Sequence, residues 1–251
     1  MFVSASTDCF PQLSLEAALA KLLDLEYTRV EIALCNRKGQ LAPSEVAADL
    51  DAAIRRCRDV HRLTPVAYDV ELDPNDKTQF QQFGACCKLA KATKVVMLAV
   101  SAAETGTPFN AEIERLKEFV KLAAGEGVVV CVKTETGRMT EDPRTALALV
   151  KNVKGLGVAL DPSHFICGPC AGADYDALLP YTCHLRLRDT SKDKLQVRVG
   201  QGTVEYGKLV NSLGRFDYRR ALAVHIVDEP TSGIDHDTEM RKMRLLLESL
   251  V

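Results

Sequence analysis

With 251 residues, 47% of them hydrophobic and 26% charged, the chain has the composition of a globular protein that buries a sizeable core. The 32 Lys and Arg stand against 34 Asp and Glu, a formal net charge of -2, which excludes a global bias toward nucleic acid or an anionic membrane surface. No apolar run approaches the roughly 20 residues of a membrane span.

Taken in chain order, the pattern alternates strands and helices. Phe2–Ala5 is a first strand, followed by an amphipathic helix over Ser14–Leu25 with Ser14 as N-cap. Thr28–Leu34 is the second strand and carries Glu31; Ser44–His61 reads as one helix capped by Ser44. Pro65–Val70 is the third strand, with Asp69 near its end, and Asn75–Ala92 the next helix. Lys94–Val100 and Asn110–Gly125 follow as strand and helix. Two valine-rich runs, Val128–Val132 and Leu156–Leu160, read as strands buried on both faces, as in a parallel sheet. Between them Asp142–Val153 is helical, with Pro143 near its start and Gly155 just past its end. Ala173–Leu179 is a short helix, Cys183–Arg188 a strand, Val204–Leu213 a helix and Ala221–Val227 the eighth strand. Met240, Met243, Leu246, Leu247 and Leu250 stripe a closing helix. Eight strands alternating with eight helices over this length predict a single (β/α)8 barrel over residues 1–251. A doubly wound open sheet is the alternative, but no glycine-rich dinucleotide loop follows the first strand.

Residues two apart on a strand share a face. Cys131, Lys133 and, by extension, Glu135 therefore point together. So do Ala159 with Asp161, His184 with Arg186 and Arg188, and Ala221 with Ala223 and His225. In most of these sets the small or apolar member comes first and the charged member stands at the carboxyl end, where barrels carry their sites.

Five segments carry a resemblance: YTRVEIA at Tyr27–Ala33, LDPSHF at Leu160–Phe165, HLRLRD at His184–Asp189, GQGTVEYGKLV at Gly200–Val210 and RALAVHI at Arg220–Ile226. In order and spacing the chain resembles the xylose-isomerase-like TIM barrels, a sugar-phosphate isomerase/epimerase superfamily that also includes an apurinic endonuclease. The resemblance implies a divalent metal held by a glutamate ending the fifth strand, an aspartate ending the sixth, a histidine on the seventh and a glutamate on the eighth. Asp161 matches the aspartate and His164 the substrate-contacting histidine three residues on. The other three positions hold Lys133, Arg186 and His225. Protonated lysine and arginine cannot ligate a hard cation and repel it, so the usual metal is not expected and no cofactor is assigned. A rearranged donor set of Glu135, Asp161, His164 and His225 is the remaining way to hold one.

The swap reads as fixed side-chain cations in place of the metal's charge. Lys133, Arg186 and Arg198 are expected to make a positive pocket for a carboxylate or phosphate, with Asp161 as counter-ion to Lys133 or Arg186. His164 and His225 are the acid/base candidates and Lys133 the electrophile, by charge or through a Schiff base; Asp161 completes the catalytic set. Glu31, Glu135, His184 and the arginines are expected to position substrate. The expected activity is a sugar isomerase/epimerase-like one on a small sugar, sugar phosphate or polyol, with no nucleic acid or membrane partner and homo-oligomerisation left open. The alternative is a non-catalytic barrel that binds an anionic ligand or a partner protein. If the charged residues interlock with no open cavity, the alternative gains; if they line a cavity, the enzyme gains.

The start MFVSASTDCFPQ lacks a basic region followed by an apolar core, so the nine cysteines are expected to be reduced in a cytoplasmic compartment. Cys167-Gly168-Pro169-Cys170 has the letters of a redox motif, but it follows a sixth strand rather than opening a helix after a first one, and reads as a loop with two thiols. Cys86 and Cys87 read as packing, and His61 and His236 as surface residues.

Overall fold

No side chain of Leu156–Leu160 is exposed, as a strand covered on both faces requires. A computed structural model describes residues 1–60, 62–228 and 235–251. Among them, eight parallel strands close into one barrel in sequence order. They are β1 Phe2–Ser6, β2 Arg29–Leu34, β3 Thr64–Val70, β4 Met97–Ser101, β5 Val129–Lys133, β6 Leu156–Leu160, β7 Thr182–Leu187 and β8 Ala221–Val224. The seam pairs Phe2 with Ala221 and Ala5 with Val224. The chain is a (β/α)8 TIM barrel.

The helices are α1 Leu15–Asp24, α2 Pro43–Ala48, α3 Leu50–Arg58, α4 Gln79–Thr93, α5 Phe109–Glu126, α6 Pro143–Asn152, α7 Ser163–Ile166, α8 Tyr206–Arg215 and α9 His236–Glu248. Ser14 caps α1 by accepting from the Ala17 amide, and Asp142 caps α6 through the Arg144 and Thr145 amides. The single helix expected from Ser44 is two. Asp49 leaves helical geometry at φ -143°, ψ 87°, and its carboxylate caps α3 at the Ala52 amide. Ala42, not Ser44, stands at the N-cap of α2, with its amide bonded to the Glu45 carboxylate. The strand expected from Lys94 starts at Met97, because Lys94 closes α4 in the left-handed region at φ 62°. The segment expected as a helix over Ala173–Leu179 is a 3-10 turn over Asp176–Tyr181. His61 lies outside the described residues.

Two layers fill the barrel. The lower is apolar and mostly small: Ala67, Met97, Ala99, Cys131 and Ala159, all buried, with Cys183 packed against them. The upper is charged and stands at or just past the ends of β3, β5, β6, β7 and β8, with Glu31 of β2 below it. Small side chains below leave room for long ones above. Outside the strands, Met240, Met243 and Leu247 of α9 are fully buried; each such side chain contributes about 1.5–3 kcal/mol. α9 is also tied to the start of the chain: Tyr27 donates to the Met240 carbonyl at 2.8 Å and Lys21 pairs with Asp237. His236 is half-buried rather than on the surface, edge-on to Phe10 and bonded through Nε2 to the Ile226 carbonyl at 2.8 Å. No helix among the described residues is long and apolar enough to cross a membrane.

The β6–β7 ladder contains an irregularity. Val158 pairs with Thr182 and Ala159 with His184, so Cys183 is an extra residue on β7. Its sulfur lies over Gly157: a Cβ there would stand 2.2 Å from Cys183 Sγ, 3.0 Å from Cys183 Cβ and 3.3 Å from Cys131 Sγ. Gly157→Ala should therefore cost about 1–3 kcal/mol through overpacking. A urea midpoint lowered at unchanged slope would report it. Adding Cys183→Ala should restore part of the loss, since it removes the closest atom; equal stability of Gly157→Ala and the parent would contradict this packing.

Candidate active site

A cavity of about 250 Å³ opens at the carboxyl end of the strands. Lys133, Arg186, His225, Asp69 and Glu135 line it, together with Asp8, Arg37, Arg138 and Arg188. Strand alternation explains the inward residues of β3, β5 and β7. The loops after β1, β2 and β5 add Asp8, Arg37 and Arg138.

The charges interlock, and they do so around a cavity. Asp69 binds two cations: its carboxylate lies 3.0 Å from Lys133 Nζ and 3.0 Å from Arg186 Nη1. Lys133 also meets Glu135 at 3.2 Å. Arg186 reaches toward Glu31 at 3.7 Å, and Glu31 is hydrogen-bonded to His184 Nε2. On the other side, Arg188 Nη2 donates to Asp161 and to His225 Nδ1, both at 2.8 Å. His225 Nε2 donates to Asp8 at 3.0 Å, and Asp8 pairs with Arg37. Since Nδ1 accepts from an arginine, His225 is the neutral Nε2–H tautomer. Asp161 is further held by the Ser163 amide and hydroxyl.

Titration follows from these contacts. Burial alone would lower the Lys133 pKa, but Asp69 and Glu135 outweigh it and hold the ammonium charged well beyond its ordinary range. Burial would raise the Glu135 pKa, but Lys133 and Arg186 pull it down to about 2. Asp161 is likewise held low against its burial, by Arg188 first, and Glu31 by Arg186 and His184. His225 is pushed down by burial and then by Arg186 and Arg188; His164 is pushed down by burial despite Asp161.

Several expectations are revised by this geometry. Asp161 is the counter-ion of Arg188, while the partners of Lys133 and Arg186 are Asp69, Glu135 and Glu31. Glu31 and His184 are fully buried and do not line the cavity; Glu31 faces Arg186 from below and is itself bonded to His184. His164 is also absent from the lining; its Nδ1 accepts from the Thr136 amide at 3.2 Å and its Nε2 stands 3.7 Å from Asp161. Arg198 is exposed on the loop after β7 and does not line the cavity. The pocket is not dominated by positive charge, because Asp8, Asp69, Glu71 and Glu135 line it alongside the cations. Asp8, Arg37, Asp69, Arg138 and Arg188 were not among the expected site residues. Asp69 follows Ala67 by two, the same small-then-charged signal that marked Asp161. Asp8, Arg37 and Arg138 stand on turns and loops, where no periodicity points.

The donor set does not fit the divalent metal that the resemblance implies. Lys133, Arg186 and Arg188 occupy the carboxylates that would bind it, and their charge opposes a cation. The rearranged set fails for the same reason: Glu135 is taken by Lys133, and Asp161 and His225 Nδ1 by Arg188. Among the described residues, no group of three or more His, Cys, Asp or Glu is arranged to hold a metal.

Comparison with known proteins agrees with the architecture. The family model described as xylose isomerase-like TIM barrel matches residues 19–248. No curated protein matches the sequence. Among solved structures, an L-ribulose 3-epimerase superposes with a TM-score of 0.74 at 15% identity, covering 100% of this chain and 96% of that one. A structure described as the IOLI protein with a binding zinc atom gives 0.76 at 14% identity, covering 100% and 98%. A D-psicose 3-epimerase in the presence of D-fructose gives 0.74 at 11% identity, covering 100% and 99%. At these identities the likeness establishes the fold.

The pairing has a consequence for stability. Glu135 titrates at about 2 folded and near 4.5 unfolded, so unfolding takes up a proton in that window. The stabilisation is complete above about pH 5 and is lost as pH falls toward 2. Lys133→Met should cost about 3–5 kcal/mol at pH 7, by leaving buried carboxylate charge unpaired. It should also flatten the loss of stability between pH 5 and 3. Urea denaturation of both proteins across that range measures this; identical acid slopes would contradict it.

Proposed function

The chain belongs to the xylose isomerase-like TIM barrel family, and we propose that it is a sugar isomerase- or epimerase-like protein that takes a small sugar or polyol at the barrel mouth without a divalent metal. One observation carries the proposal: a cavity of about 250 Å³ in which Lys133 and Arg186 occupy metal-ligand positions and share Asp69. The volume is below the roughly 300–1,000 Å³ of drug-sized pockets, which favours a small ligand. Dense, alternating donors and acceptors suit hydroxyl groups. Most of the cations are already compensated, so the ligand bears little net charge. Arg138 is the cation best able to meet an acidic substituent: its partner Glu104 is exposed and 3.7 Å away.

Isomerisation and epimerisation next to a carbonyl need a polarised oxygen and a proton acceptor. Lys133, kept charged, polarises by hydrogen bonding; the same charge argues against a Schiff base, which requires the neutral amine. Glu135 and His225 are two of the acceptors that line the cavity. His225 must first give up the Arg188 hydrogen bond on Nδ1. A specific observation favours the second reading, a barrel that binds without turnover: Glu135 at about 2 is a weak base at neutral pH.

Calorimetric titration in EDTA with ketoses, aldoses, sugar acids and sugar phosphates tests the proposal. Saturable binding of at least one class is expected, and ligand at about 100 times Kd should add ~2.7 kcal/mol of stability. Arg138→Met should weaken acidic ligands and spare neutral ones. Binding that appears only when manganese or cobalt is added would overturn the metal-free reading. Binding with no exchange of substrate hydrogen with deuterated solvent would select the non-catalytic one.

A further inference from the structure

Beneath the charged layer, inside the barrel, two thiols meet over a glycine. Cys131 is the middle residue of β5 and fully buried, and Cys183 is the extra residue near the start of β7 and half-buried. These strands are not neighbours, since β6 runs between them. Gly157 lies on β6 directly opposite Cys131, and both sulfurs fall within 3.3 Å of the point where its Cβ would be. Any side chain at residue 157 would separate the thiols. Strict alternation would turn Cys183 outward, away from the inward-facing His184. The irregular pairing brings it over Gly157 instead, against the interior cluster.

The surroundings are those of a reactive thiol. The two sulfurs meet across Gly157, Cys183 Sγ donates to the Tyr181 carbonyl at 3.7 Å, and Arg220, in the turn before β8, adds positive charge. Arg220 Nη1 is buried without a hydrogen-bond partner. The neighbouring Cys131 thiol, followed by Arg220, holds the Cys183 thiol below its ordinary value in spite of its burial, while Cys131 is raised far above its own, by burial first. Tyr218, buried nearby, donates to the Ala221 carbonyl and stays neutral, its hydroxyl pushed up by burial. Low-pKa thiols in positive, partly open surroundings are the nucleophilic ones. The positive charge also argues against a soft metal cation bridging the pair.

We propose that Cys183 and Cys131 form a peroxide-reactive pair in the apolar layer beneath the mouth, Cys183 as the attacking thiolate and Cys131 as the thiol that resolves it. The Cys183 thiolate attacks one oxygen of a hydroperoxide. The O–O bond breaks, an S–O bond forms and the second oxygen leaves as hydroxide or alkoxide, so sulfur is oxidised by two electrons and the peroxide reduced. Cys131 sulfur then attacks the sulfenic sulfur. An S–S bond forms, the S–O bond breaks, and the hydroxyl leaves with the Cys131 proton as water. The product ties β5 to β7 across β6. The reaction needs no group from the mouth of the barrel and is independent of the sugar-binding reading.

Hydrogen peroxide treatment of the purified protein, followed by unfolding, alkylation and peptide mapping by mass spectrometry, tests this. The Cys131–Cys183 disulfide is expected to appear before any product at Cys167 or Cys170. In Cys131→Ser, a dimedone adduct should accumulate on Cys183. Arg220→Met keeps both thiols and should slow the oxidation several-fold at pH 7. It should also move the midpoint of Cys183 labelling by iodoacetamide upward. The proposal is overturned if Cys131 and Cys183 remain fully alkylatable while Cys167 and Cys170 oxidise. It is equally overturned if Cys183 labelling in the parent protein has its midpoint above pH 9.

Discussion

A lysine and an arginine ending neighbouring parts of a barrel interior must each find an anion, because an uncompensated buried charge costs several kcal/mol. Asp69 meets that demand for both, 3.0 Å from Lys133 and 3.0 Å from Arg186. Much of the upper layer arranges itself around this shared carboxylate. Glu135 supplies the second anion for Lys133, and Glu31 faces Arg186 from below with His184 on its other oxygen. A parallel chain on the far wall runs from Asp161 through Arg188 and His225 to Asp8 and Arg37. The mouth is therefore rigid and pre-organised, with its hydrogen-bonding directions fixed before any ligand enters.

On the proposed metal-free reading, the same arrangement lets a family site change its chemistry without losing its architecture. A divalent ion draws carboxylates together; here protonated side chains occupy the space among them and do so from the strand ends themselves. The electrostatic role of holding several acids in one buried place is kept. Lewis-acid chemistry is not available to an ammonium or guanidinium, so on the proposed metal-free reading catalysis at this mouth relies on hydrogen bonding and on the fixed field of the paired groups.

The barrel was legible in the sequence because its strands are short apolar runs and its helices carry caps and stripes. Leu156–Leu160 is found where the pattern puts it. Alternation also correctly turned Lys133, Arg186 and His225 toward one cavity. It failed where local geometry overrides period. Asp49 broke a helix because its side chain caps the next one, and Cys183 escaped alternation through an irregular pairing. Pairing partners were the least legible. Which carboxylate Lys133 meets depends on the relative register of β3 and β5, with β4 between them, and no residue type announces that. Glu31 and His184 were read as ligand contacts because inward orientation does not reveal depth; both are fully buried.

The seam of the barrel lies between its first and last strands. Phe2–Ala5 pairs with Ala221–Val224, and α9 then clamps the joint through Tyr27 and Met240. These contacts span most of the chain, so their closure entropy is met only once nearly everything else is in place. On a ribosome adding about 5–20 residues per second, β1 waits roughly 10–40 s for β8 to emerge. During that interval β1 has an unpaired edge, with backbone groups open to pairing with a strand from another chain. The closed barrel, which leaves no free edge among its eight described strands, thus leaves the nascent chain with an exposed edge until β8 emerges.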